Sequence, residues 1–327
     1  MIKGDIKSNA IKFIFRDYWM FIILIFFVAI FTIFGSRFLS IYNLQTIVVY
    51  NTEIMLLAIG ELFIIIMAHI DLSVGSVLAI SGIVGSIVMR SLYSSGFDPI
   101  FSTLIGFLTG LGIGLLCGFI NGLLISRIRV PSFVVTLGML GIARGIVYVI
   151  TNGSAIMNLP PFLEFVGMGF IFKVLPIITF IAILVSFIAG FLLQRTKFGR
   201  YLYIHGGNKE SAIRVGININ DLTLKAFMFS GLLAGLAGML LCARFLVGSP
   251  VMGQGRELDA IAAVVIGGAS LYGGKGGVFK TIIGAFIISV LRVGLVNIGV
   301  HPYWQMIAVG CILIMAVYVD QLQSNLS

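Results

Sequence analysis

Few side chains in this sequence could do chemistry, and the ones that could sit at breaks in long apolar runs. Ala68-His69-Ile70-Asp71-Leu72-Ser73-Val74-Gly75-Ser76 joins two such runs. Asp71, followed by Ser73, could cap the helix starting there, its carboxylate taking up free backbone N–H groups. A polar turn between apolar runs could equally line a path, because broken helices are how many transporters build one. Glu53 and Glu61 lie within one apolar run. Eight residues apart, they are about 80° out of register on a helix and form no compact pair. They read either as proton-relay groups or as buried, paired carboxylates, with Arg144 as an ionic partner for either.

The remaining reactive types are scattered. His69 reads as a satisfied polar residue, with His205 and His301 far away in sequence. Cys117, Cys242 and Cys311 lie in apolar stretches without CxxC spacing, which argues against a disulfide framework or a zinc site. No Ser/His, Cys/His or metal-ligand arrangement stands out, so the sequence predicts no catalytic residue, no metal and no cofactor. Gly267-Gly268-Ala269-Ser270-Leu271-Tyr272-Gly273-Gly274-Lys275-Gly276-Gly277 resembles a phosphate-binding loop only superficially. Ala269 stands where that pattern needs glycine, and Gly276 where it needs Ser or Thr. The segment reads instead as a short half-helix over 258–271 ending in a glycine-rich turn, an echo of the Asp71 turn in the other half of the chain.

The elements that must hold these residues follow from composition. Hydrophobic residues make up 59% of the 327 and charged ones 10%, with a mean hydropathy of +1.14. That leaves too few polar side chains for a water-facing skin, so lipid must cover most of the surface. The net charge of +9 is spread through short loops without interleaved aromatics, which argues against nucleic acid and for anionic lipid and topology. The sequence thus predicts an all-α polytopic bundle, one membrane domain over 1–327. About ten spans fall near 18–34, 44–67, 72–89, 101–125, 132–150, 174–193, 222–243, 258–271, 278–298 and 303–319. No small-residue cleavage site follows 18–34, so that run is expected to remain as the first span.

Charge sets the orientation. With a cytoplasmic N-terminus, the inner turns carry Arg127 and Arg129, then Arg195, Lys197, Arg200, Lys209 and Arg214, then Lys275 and Lys280, and the outer turns carry one or two cations each. Both termini are therefore expected inside. The largest inner loop is 194–221 and the largest outer loop 151–173. In the inner loop, Asn208 can cap a helix over 209–215, stopped by Gly216, of the mixed-charge kind that docks into a partner's groove. In the fourth span, Gly106, Gly110, Gly114, Gly118 and Gly122 recur every fourth residue and make a groove for a neighbouring helix. Gly231, Gly235 and Gly238 mark a shorter version in the seventh.

Taken in order, these segments resemble the membrane permease subunits of ATP-binding-cassette importers, in the ribose and monosaccharide branch. The resemblance rests on Ile70–Ser76, Val130-Pro131-Ser132-Phe133-Val134-Val135-Thr136-Leu137-Gly138, Ala143-Arg144-Gly145, Thr151-Asn152-Gly153, the loop 199–217, the run 257–277 and Gly299-Val300-His301-Pro302-Tyr303-Trp304-Gln305. It spans about residues 40–320. It implies two pseudo-repeat halves, a bacterial inner-membrane location and a dimer with a second permease chain, usually identical. It also implies a cytoplasmic ATPase docked on Gly206, Gly207, Asn208, Lys209, Glu210, Arg214 and Gly216, and an extracytoplasmic sugar-binding protein. Asp71, Ser73, Thr136 and Asn152 are the candidates for polar groups near the path. Amino acids, nucleosides or signalling sugar derivatives remain alternative cargoes. A proton-coupled transporter using Glu53, Glu61 or Asp71 is the rival mechanism. His69, His205, Arg256 and Lys280 depart from the branch's usual residues.

Overall fold

A computed structural model describes residues 19–324; Lys3, Lys7, Lys12 and Arg16, which entered the charge count, lie outside them. The described chain is almost wholly helical. Its elements are α1 (Trp19–Phe34), α2 (Ile41–Ile65), α3 (Val74–Ser94), α4 (Pro99–Leu123, continued by a π-turn Leu124–Ile128), α5 (Ser132–Thr151), α6 (Phe162–Met168), α7 (Ile177–Arg195), α8 (Lys197–Gly207), α9 (Lys209–Arg214), α10 (Ile219–Phe245), α11 (Arg256–Ile266), α12 (Val278–Asn297) and α13 (Pro302–Ser324). Two-residue strands, β1 (Phe170–Ile171) and β2 (Leu175–Pro176), pair antiparallel between α6 and α7.

Seven of these helices, α2, α3, α4, α5, α7, α10 and α12, are long and apolar enough to cross a membrane, and Trp19–Phe34 and Tyr303–Met315 are shorter apolar helices. Local signals set several boundaries. Ser40 caps α2 by accepting from Asn43 N–H, and Asp98 caps α4 just before Pro99, where a missing N–H costs nothing. The span expected over 258–271 is instead α11, only 11 residues, or about 16 Å against a hydrocarbon core of about 30 Å. Gly267 and Gly268, the latter at φ +80°, end it early. The loop 194–221, expected on the inner side, holds a helix, α8, that its three glycines concealed.

Helices α2 and α10 form the centre, with 83% and 78% of their apolar windows buried, whereas α5 has only 28% buried and presents most of its surface outward. The five glycines of α4 face α10 and α3. A Cβ on Gly114 would lie 2.3 Å from the Gly231 carbonyl oxygen, one on Gly118 2.3 Å from the Phe227 carbonyl, and one on Gly122 2.9 Å from Leu224 Cα. On Gly110 it would meet Met239 and on Gly106 Met89. Gly231 and Gly235 answer from α10, and Gly238 lets α10 approach Leu78 of α3. Backbone presses on backbone along this seam, which is how helices associate where no hydrophobic effect drives them together.

Candidate functional site

Three of the path candidates meet at the turn between α2 and α3. Ala68, at φ +59°, reverses the chain after α2. The Asp71 N–H donates to Glu61 Oε1 (3.0 Å), and Asp71 Oδ1 accepts from the Ser73 N–H (2.9 Å) and Ser73 Oγ (2.6 Å). Asn121, on α4, donates to Ser73 Oγ (3.0 Å), and Thr136 Oγ1 donates to the Ile70 carbonyl (3.3 Å) and the Ser132 carbonyl (2.9 Å). Asp71, Ser73 and Thr136 are all buried. The carboxylate thus closes an Asx-type turn one residue before α3; it does not reach the N–H groups of the first helical turn. Burial raises the Asp71 carboxyl above its usual range, and the two Ser73 bonds oppose that. Asn152 stands apart from this group. It is exposed in left-handed conformation (φ 47°) at the far end of α5. Asn121 was not singled out from the sequence, although a lone amide in an apolar run was the signal available.

The second break runs from the end of α10 through 246–255 into α11. Here the backbone is irregular at a depth where helices surround it, and its carbonyls need partners. Arg144 provides them. Its Nη1 donates to the carbonyls of Pro250 (2.9 Å) and Met252 (2.8 Å), and Nη2 to that of Gly75 (3.3 Å) at the start of α3. One guanidinium therefore ties α5 to both interrupted segments. This corrects the expectation that Arg144 pairs with Glu53 or Glu61. The partner of Glu53 is Arg256 (2.5 Å), which also holds Asp259 (2.9 Å), and Asp259 in turn takes Arg292 (2.6 Å). Arg256 also donates to the Tyr50 hydroxyl and lies over that ring. Glu53 and Arg256 are 203 positions apart, so sequence spacing gave no hint of the pair.

At one end of the bundle, the α2–α3 break, the glycine-rich turn 267–277 that follows α11 and the α8–α9 segment come together. The Gly274 N–H donates to the Ile66 carbonyl (2.9 Å), and the Tyr203 hydroxyl on α8 donates to the Gly276 carbonyl (2.9 Å). A Cβ on Gly206 would lie 1.7 Å from the Ile66 oxygen and 2.5 Å from the Gly274 nitrogen, so only glycine lets α8 settle into this junction. The Asn208 side chain then accepts from the Ser211 N–H (2.9 Å) and caps α9, and Gly216 at φ +78° follows its end. Glu210 and Arg214 pair along the open face of α9 (3.7 Å) with side chains 83% and 80% exposed respectively. Lys209 is exposed, and Gly207 has open space where a Cβ would go. The arrangement is a capped, charged helix whose neighbour, α8, is wedged between the α2–α3 turn and the turn that follows α11.

Comparison with known proteins agrees with this architecture. Residues 43–317 match the family described as branched-chain amino acid transport system / permease component. The chain is 39% identical over 267 residues to the D-allose transport system permease protein of Escherichia coli K12, covering 81% of this chain and 79% of that one. It is 38% identical over 268 residues to the ribose import permease protein of the same organism, covering 80% of each. To the fructose import permease protein of Rhizobium meliloti it is 34% identical over 268 residues, covering 80% of this chain and 72% of that one. No solved structure matches the chain.

Proposed function

The chain belongs to the branched-chain amino acid transport system / permease component family, and from that premise we propose that it forms the membrane path of an importer for a monosaccharide. The relatives named for ribose, D-allose and fructose import support a sugar as cargo. In this reading about ten passes cross a bacterial inner membrane with both termini in the cytoplasm. The cations of 195–214 mark the inner end. Loop 194–221 faces the cytoplasm, and 151–173 faces out. The chain pairs with a second copy of itself, receives sugar from an extracytoplasmic binding protein and is driven by a separate ATPase.

The observation that carries the reading is the seat of α8 against the α2–α3 break and the turn 267–277 through Gly206 and Tyr203. An ATPase gripping Gly206–Gly216 would move Ile66 and Gly274 together. A shift there reaches the Asp71–Ser73–Thr136 turn in one step and, through Gly75 and Arg144, the segment 250–252. Asn152 would then border the path at its outer mouth. Glu53 is already matched by Arg256, which speaks against its use as a proton carrier.

The test is uptake of radiolabelled ribose, allose, fructose and xylose into vesicles holding the chain, its ATPase and its binding protein. ATP-dependent uptake of one of them is expected. Glu210→Lys, on an exposed side chain, should leave the chain folded while uncoupling the ATPase. Uptake that survives removal of the ATPase and collapses with a protonophore would overturn the proposal.

A further inference from the structure

Beside the α8 junction, at the same end of the molecule, lies an open cleft of about 610 Å³. Five elements contribute to its wall: the α2–α3 turn, the π-turn after α4, the start of α5, the α8–α9 segment and the start of α10. Its charged and imidazole lining is His69, Arg129, His205 and Lys209, joined by the hydroxyls of Ser126, Ser132 and Thr223 and the amides of Asn218 and Asn220. No carboxylate lines it. The acids on the same elements are committed elsewhere, Asp71 to Ser73 (2.6 Å), Glu210 to Arg214 (3.7 Å) and Asp221 to Lys225 (2.7 Å).

Two of these groups are buried without a partner. His205 is 6% exposed and Ser126 5%, yet among the described residues His205 Nδ1 and Ser126 Oγ make no hydrogen bond. A buried donor left unpaired costs about 1–3 kcal/mol, and such groups call for a ligand or ordered water. Arg129 and Lys209 are both exposed at the cleft, and neither makes an ion pair among the described residues. Arg129 is held in left-handed conformation, φ +66°. His69 stands 6.4 Å from His205, ring to ring, and is bonded through Nδ1 to Ser132 Oγ (3.2 Å).

We propose that this cleft binds the phosphate group of a phosphomonoester, with Arg129 and Lys209 matching its two negative charges and His205 and Ser126 as neutral donors from the cleft floor. An arginine fork and a lysine point charge are the pair that suits a phosphate dianion. Burial, with the charge of Lys209 added, holds the His205 pKa below the usual histidine value, so at neutral pH the imidazole has an N–H to donate and no charge of its own. The volume falls within the range of small-ligand sites and exceeds what a bare phosphate fills, leaving room for the organic part. A bound phosphate would bridge Lys209 of α9 to Arg129 at the far wall and fix α9 against the bundle. Control of transport by that bridge rests on the docking role proposed above; binding itself does not.

The chain has three histidines, which makes a direct test clean. The protein, ¹⁵N-labelled at histidine and held in phosphatidylcholine nanodiscs, is titrated with inorganic phosphate, glycerol 3-phosphate and, as a neutral control, ribose. His205 and His69 resonances should shift saturably with both phosphates and not with ribose, while His301 stays still. Arg129→Gln and Lys209→Gln should each weaken binding about tenfold, the loss of one charge-assisted bond. Discs containing phosphatidic acid, whose headgroup is itself a phosphomonoester, distinguish the source of the phosphate. A shift in those discs that free phosphate does not extend assigns the site to a lipid headgroup, whereas displacement by glycerol 3-phosphate assigns it to a soluble ester. No shift with any phosphate, or a shift that both variants leave intact, would overturn the proposal whatever the transport assay returns. If the assay fails and the shifts remain, the site stands without its regulatory role.

Discussion

Two regions hold this bundle together by opposite means. The seam between α4 and α10 works by absence: Gly114, Gly118 and Gly122, answered by Gly231 and Gly235, let backbone lie on backbone, and Gly106 and Gly110 leave room for Met89 and Met239. The breaks at 66–73 and 246–277 work by supply, since each interrupted helix leaves backbone groups bare in a medium that cannot solvate them. Asp71, Ser73 and Thr136 serve the first break, and Arg144 serves both. The seam is thus rigid by shape and indifferent to charge. The breaks depend on a few exchangeable hydrogen bonds, and those are the places where two arrangements of the same chain can be close in energy.

The largest effect should come from removing the supply. Arg144→Met leaves three carbonyls without their donor, and a buried acceptor left unpaired costs about 1–3 kcal/mol. The variant should lose its monodisperse peak in detergent, or its thermal midpoint should fall by many degrees. Arg144→Lys should recover only part of the loss, because an ammonium cannot span Gly75 and Met252 as the planar fork does. Behaviour like wild type would show that water can replace the guanidinium.

The seam should break next. Gly114→Leu forces a side chain into the Gly231 backbone, and overpacking of this kind costs about 1–3 kcal/mol or more. Two residues earlier, Gly112 faces open space, so Gly112→Leu should be close to neutral in the same melting experiment. If both behave alike, the close approach of α4 to α10 is not what binds them.

How much of this contrast could be read from the sequence follows from how each region works. Tight packing leaves a periodic mark, and the glycines of α4 appear every fourth residue. The α9 cap is local as well: Asn208 bonds a group three positions on. Long-range polar supply leaves no such mark. Arg144 serves carbonyls that every residue has, 69 to 108 positions away, so its identity alone suggested an acidic partner. The Glu53–Arg256 pair and the Asn121–Ser73 bond were hidden for the same reason. The helix α8 was obscured because Gly199, Gly206 and Gly207 look like loop residues until the backbones that Gly199 and Gly206 touch are known.

Titration separates the regions a third way. Burial, with His205 and Lys209 nearby, pushes His69 at the first break down to about 4. A histidine whose folded pKa is depressed leaves stability intact above its unfolded value near 6.5 and takes it away as pH falls toward the folded one. At pH 5 that amounts to about 2 kcal/mol. Protection factors, taken against the intrinsic exchange rate at each pH, should therefore fall at 66–73 between pH 7 and 5 while those of the α4 amides hold, and His69→Gln should flatten the difference. An equal loss of protection in both regions would show that the break and the seam open as one unit.

The smallest effect tests whether the α8–α9 segment moves as a unit. Asn208→Ala removes the side-chain cap of α9, worth about 1 kcal/mol, and touches neither break. The bond from Tyr203 to Gly276 and the seat of Gly206 remain, so α8 should keep its protection from hydrogen exchange while α9 frays. If α9 transmits force only as a formed helix, ATPase activity should persist while uptake per ATP hydrolysed falls severalfold. Asn208→Asp keeps an oxygen acceptor at the same position and should restore the ratio. A fall in ATPase affinity without a change in that ratio would mean that α9 serves as a grip alone, and that the thrust passes through α8.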